Sequence, residues 1–156
     1  MRHLTIIILA ICFAGNLVAQ DKQAAAKPDT SKAIKFTVQF GPYKQGMPVL
    51  VDDMKRLLNA DLKVTDNKGE VWTIVSYRLG YRKKDTNDDW KTGKRKTILV
   101  FNAVEVQNSP KIPAAWQKSM LESLQSGEEI LFEQIIAQNS KTKKMMMPPS
   151  LTLSLR

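Results

Sequence analysis

The chain has 156 residues, the size of one ordinary domain with a short targeting segment and too few for two domains. It carries 24 basic against 15 acidic side chains, a net charge of +9, which favours anionic partners: acidic surface polysaccharide, lipid phosphate groups or an acidic protein face. The single cysteine, Cys12, and the single histidine, His3, both stand near the N-terminus, so thiolate nucleophiles, imidazole bases, disulfides and histidine-built zinc sites are excluded from everything downstream.

Residues 1–19 have the layout of a secretory signal: a basic start at Arg2, an apolar run from Leu4 to Ala14, then Val18-Ala19-Gln20 with cleavage expected after Ala19. The apolar run is about half the ~20 residues a membrane-spanning helix needs, so a removable signal is expected and no transmembrane anchor. Leu9-Ala10-Ile11-Cys12 loosely resembles a lipidation motif, but Ile11 is larger than the small residue such a motif requires and Cys12 lies inside the apolar run. Cleavage removes His3 and Cys12 together. It places the mature chain in the periplasm or outside the cell, where nucleic acid is not an expected partner, and leaves a fold held by its core alone.

From Gln20 to Lys32 the chain is polar and without apolar period, which predicts a flexible tether, and 33–156 is expected to form one domain. Ile34, Phe36, Val38 and Phe40 alternate with polar residues and predict a half-buried strand ending at Gly41-Pro42. Leu50, Val51, Met54, Leu57 and Leu58 follow at helical spacing and predict a helix over 49–59, with Pro48 near its first turn. Asp61–Thr65 and a strand from Val71 to about Lys83 flank Asp66-Asn67-Lys68-Gly69, a hairpin turn. On the second strand Val71, Thr73, Val75, Tyr77, Leu79 and Tyr81 form the more apolar set, expected to face the core. A charged loop, Lys84 to Arg95, leads to a strand over 97–106 that should pair antiparallel with the strand before it. Pro110 and Pro113 precede a helix over 114–125 with Trp116, Met120, Leu121 and Leu124 on one face, ended by Ser126-Gly127. Strands over 129–137 and 150–155 complete the chain. The order β-α-β-β-β-α-β-β lacks regular β-α alternation. The expected fold class is therefore mainly β (α+β), an antiparallel β-sandwich or curved sheet with two short helices. The segments 47–64 and 112–132 each open with an apolar residue before proline, a hint of internal duplication.

Taken together, Phe40-Gly41-Pro42, Gly46-Met47-Pro48, Leu62-Lys63-Val64-Thr65-Asp66-Asn67-Lys68-Gly69, Ser76-Tyr77-Arg78, Tyr81-Arg82, Ser126-Gly127-Glu128-Glu129-Ile130 and the ending Pro149-Ser150-Leu151-Thr152-Leu153 resemble the C-terminal periplasmic domain of GldM, the gliding-motility and type IX secretion subunit of the Bacteroidetes. The resemblance spans 34–155. It implies a β-rich, non-catalytic module that dimerises or docks on an envelope assembly linking an inner-membrane motor to the outer-membrane secretion apparatus. This chain shows no transmembrane helix or coiled stem, which implies a free-standing docking relative.

The candidate partner-binding residues are Arg82, Lys83, Lys84, Trp90, Lys91, Lys94 and Arg95, in and beside the charged loop. Cations expected to crowd around a tryptophan suit an acidic protein surface or, as the alternative, an acidic glycan or lipopolysaccharide; otherwise Trp90 folds back onto the sheet. Asp85, Asn87 and Asp89 have the spacing that starts a calcium loop, but Trp90 stands where that loop needs glycine and Lys96 where it needs glutamate. The acid pairs Asp52/Asp53, Asp88/Asp89 and Glu128/Glu129 are adjacent residues that diverge on any regular element, so helix-end and loop solvation is the expected role of each. No phosphate-cradling glycine loop or serine-nucleophile motif is present. Lys141 to Pro149, basic and then rich in methionine, is expected to be a loop covering the end of the core, or a contact for a membrane headgroup or partner groove. The chain is thus expected to be no enzyme and to need no cofactor or metal.

Overall fold

A computed structural model describes residues 34–156; the expected signal segment 1–19 and tether 20–32 lie outside the described residues. The six predicted strands form as β1 (Phe36–Phe40), β4 (Leu62–Asp66), β5 (Val71–Asp88), β6 (Arg95–Gln107), β7 (Glu129–Gln138) and β9 (Leu151–Leu155). Three two-residue strands join them: β2 (Tyr43–Lys44), β3 (Pro48–Val49) and β8 (Met145–Met146). The helices are α1 (Val51–Leu57) and α2 (Ala114–Ser123), both shorter than the spacing predicts. Pro48 belongs to β3 rather than to the first turn of α1.

The main sheet runs β2-β1-β4-β5-β7-β9-β3, with β6 on β5 and β8 on β7. Every pairing is antiparallel except that of β3 with β9. The two ends of this path, β2 and β3, are joined by only Gln45, Gly46 and Met47, a span of about 14 Å at most. The sheet therefore curls until its ends nearly meet, and Gln45 Oε1 spans the seam by accepting the Thr152 amide at 2.7 Å. The result is a curved, nearly closed, barrel-like sheet. Phe132 sits in its interior against Phe40 (ring centroids 5.0 Å) and Tyr77 (5.6 Å), and α1 and α2 each add a fully buried methionine, Met54 and Met120.

One expectation about facing is overturned. Trp72 and Ile74 are buried at the start of β5, and Tyr77, Leu79 and Tyr81 later on, whereas Val71 and Thr73 are exposed. A strand whose side chains alternate cannot do this without an extra residue. The register against β7 shifts between Ile74 and Ser76 and shifts back between Ser76 and Arg78. The second shift reflects an added residue on β7, where Gln134 has φ of 49° and the core set steps from Phe132 to Ile135. The two bulges compensate, so both strands change core face together. Likewise Leu121, placed with the core residues of α2 by spacing, is exposed, because α2 buries only a narrow stripe around Met120. No helix among the described residues is long and apolar enough to cross a membrane.

Candidate functional site

The sequence from Lys84 to Arg95 reads as a loop, but half of it is strand: β5 runs on to Asp88 and β6 begins at Arg95. β5 and β6 stay paired without a slip from Ser76 opposite Gln107 to Asp88 opposite Arg95. Pairing of β5 with β7 ends earlier, at Arg82 opposite Glu129. Beyond that point the two strands project alone as a ribbon of six residue pairs, roughly 20 Å at the usual strand rise. Polar residues alternate poorly here because neither face of the arm has a core to meet.

The arm's root is clamped by Glu128. Its carboxylate accepts hydrogen bonds from the Tyr81 hydroxyl at 2.5 Å, the Lys84 amide at 2.8 Å and the Gln125 amide at 2.9 Å. Glu128 is wholly buried, which corrects the expectation of a solvated acid beside Glu129. Burial, with Glu128 alongside, pushes the Tyr81 phenol well above its ordinary value. The clamp takes over where backbone pairing to β7 runs out, so the Lys84 amide, the first on that side of β5 beyond the β7 ladder, keeps a partner. Alternation did carry a signal for it: Glu128 shares parity with Ile130 and Phe132, both core residues.

At the other end the tip is a built turn. The Asp89 amide donates to the Lys94 carbonyl (3.0 Å), and the Gly93 amide to the Asp89 carbonyl (2.7 Å). Asp89 Oδ1 accepts the Lys91 amide (2.9 Å) and Oδ2 the Thr92 hydroxyl (2.8 Å). These two donors hold the Asp89 carboxyl below the usual carboxylate range. Gly93, at φ of 65°, supplies the left-handed step that a side chain would resist. Both Asp89 oxygens thus serve the turn, which accounts for an aspartate at this position without calcium. Trp90 does not fold back: it is 86% exposed, with Lys91 Nζ 5.1 Å from the centre of its ring.

The predicted binding residues are therefore divided between two places. Arg82 lies at the root and is ion-paired to Glu129 at 2.6 Å. Lys84, also at the root, donates to the Ser126 carbonyl at 2.6 Å. Lys83 is half-buried in a groove of about 300 Å³ shared with Trp116 and Met120 of α2. Arg95 pairs with Asp88 across the ladder at 3.2 Å. Lys91 and Lys94 stand with Trp90 on the turn and Arg95 on the last rung below it, and of these Lys91 is the cation over the ring; Arg82, Lys83 and Lys84 are at the far end of the arm.

Two further acids have structural partners: Asp53 accepts from the Tyr43 hydroxyl (3.1 Å), and Asp66 from the Trp72 indole (3.1 Å). In the methionine-rich stretch, Met146 packs on the core while Met145 and Met147 stay exposed. Compared with known family models, characterised proteins and solved structures, the chain matches none.

Proposed function

We propose that this chain is a non-catalytic, exported interaction module that docks on a protein assembly of the bacterial envelope through the β5–β6 arm, the role implied by its resemblance to the C-terminal domain of GldM. The observation that carries this reading is the tip: a tryptophan 86% exposed on a turn closed by hydrogen bonds among Asp89, Lys91, Thr92, Gly93 and Lys94. A large apolar ring kept in water costs solvation energy and is the kind of residue that anchors protein interfaces. The arm is convex, and Lys91 lies over the ring. A sugar site is concave, with an open aromatic face and converging polar groups, so a protein surface with acidic groups is the better fit than an acidic glycan.

Affinity capture from envelope extract of the producing cell tests this. The chain is expected to retain one protein in fixed stoichiometry at moderate salt, and Trp90→Ala to release it. Equal retention by the variant overturns the docking role of the arm. Retention only on anionic polysaccharide or lipopolysaccharide, lost as salt screens the lysines, overturns the protein partner in favour of the glycan.

A further inference from the structure

β6 is the one long strand among those described with a neighbour on a single side. Which of its amides face outward follows from the bonds that bracket it. The Asp89 amide reaches the Lys94 carbonyl at one end, and the Asn108 amide reaches the Val75 carbonyl at the other. Register is uniform between them, so even-numbered residues bond to β5. The odd-numbered residues Arg95, Thr97, Leu99, Phe101, Ala103 and Glu105 therefore turn both N–H and C=O to the open edge. Soluble proteins usually blunt such an edge with proline, a bulge or inward charges. This one has no proline and no slip in register, and it is uncharged from Thr97 to Val104. Leu99 and Phe101, on its outer face, are 59% and 44% exposed. Phe101 lies across Gly80, where a Cβ would come within 2.7 Å of the ring, and the Arg78 guanidinium sits 5.6 Å from the ring centre.

We infer that β6 pairs antiparallel with β6 of a second copy of this chain, in the register that sets Val100 opposite Val100. This rests on the reading of the arm as the interaction element and names one partner for it. An odd shift would set outward amides against inward ones, so only even registers can bond. In the one proposed, the outward residues meet only one another: Arg95 with Glu105, Thr97 with Ala103 and Leu99 with Phe101, each twice by symmetry. Two bonds for each such pair make about twelve backbone hydrogen bonds.

Charge selects the same register. Asp88 already stands opposite Arg95, Glu105 opposite Arg78, and Arg78 opposite Glu133. Joining Arg95 to Glu105 of the second copy builds a row that alternates in sign: Asp88, Arg95, then Glu105, Arg78 and Glu133 of the second copy. A shift by two residues either way puts Ala103 or Gln107 opposite Arg95 and forfeits both cross-copy pairs. In the single chain Glu105 takes part in none of the ion pairs among the described residues, and the Arg95 side chain is 79% exposed. The paired segment ends at Arg95, which leaves Trp90 beyond it.

Sedimentation analysis of the chain as the cell produces it, over a wide range of concentration, should show a monomer–dimer equilibrium. Arg95→Glu alone and Glu105→Arg alone should each weaken the dimer about tenfold, since each sets like charges together twice. Mixing the two variants should restore association, because the mixed dimer regains opposite charges at both ends. Ala103→Pro removes an outward amide without touching the β5 ladder and should give a monomer with unchanged circular dichroism. A wild-type chain that stays monomeric at every concentration overturns the inference, as does a mixture no tighter than its components. Edge pairing with a different protein, abolished by Ala103→Pro and indifferent to the charge reversals, overturns the second copy as the occupant. Trp90→Ala is expected to leave the dimer intact, so envelope capture and self-association fail or succeed separately.

Discussion

The two halves of β5 share one backbone and live by different rules. From Trp72 to Tyr81 the strand lines the interior of the curled sheet, where Tyr77, Leu79 and Tyr81 are buried. Past the root contacts of Lys83 and Lys84, from Asp85 to Asp88, it belongs to a two-stranded arm with no core on either face. The body is held by packing and the arm by backbone pairing and polar fixtures at its root and tip. What the contrast teaches is that stability and exposure have been separated along one strand: the arm can present Leu99 and Trp90 to a partner because the body does not depend on them.

The largest test of that separation is Phe132→Ala, which empties the space between Phe40 and Tyr77. It should cost about 3–5 kcal/mol, whereas Leu99→Ala on the arm should stay within about 0.5 kcal/mol. Urea unfolding followed by circular dichroism reads both, and equal costs would break the comparison. Next comes Glu128→Ala, which leaves the Tyr81 hydroxyl and the Lys84 and Gln125 amides without their acceptor. It should cost about 2–3 kcal/mol and speed hydrogen exchange at the Lys84 amide more than at amides deep in β7. Uniform exchange across both sites would mean that the root clamp is no separate element.

The smallest effect is at the tip. The Asp89 carboxyl is depressed by the Lys91 amide and then by the Thr92 hydroxyl. A lowered folded value means that the tip's stabilisation is complete above the ordinary carboxylate range and is lost as pH falls through the depressed value. Acid titration by NMR should therefore move the Lys91 and Thr92 amide signals while the body's signals hold still. If the tip signals track global unfolding instead, arm and body are one cooperative unit.

Much of the body was legible in the sequence, because burial on one side leaves an alternating or helical trace. The mainly β class, the six long strands and both helices follow from such traces. The two-residue strands β2, β3 and β8 do not, since two residues carry no period. Nor does the face of β5: the more apolar parity, with Val71 and Tyr77 in one set, is an average over two stretches separated by a bulge. The arm leaves no such trace, for the opposite reason. With no core to face, the residues from Lys84 to Asp88 had no cause to alternate, and strand looked like loop. Spacing brought the charged residues into one candidate site. Strand direction parted them, sending Arg82 and Lys84 to the root and Lys91 and Lys94 to the tip.

The paired bulges near Val75 and Gln134 carry a consequence for how such a chain can change over generations. Each extra residue is tolerable only because the facing strand has one too. Deleting either alone would turn part of one strand inside out, with core residues in water and polar ones in the interior. Deleting both would slide the two strands back into step. Length changes in this region should therefore be inherited in pairs, far apart in the gene and silent about each other except through the fold.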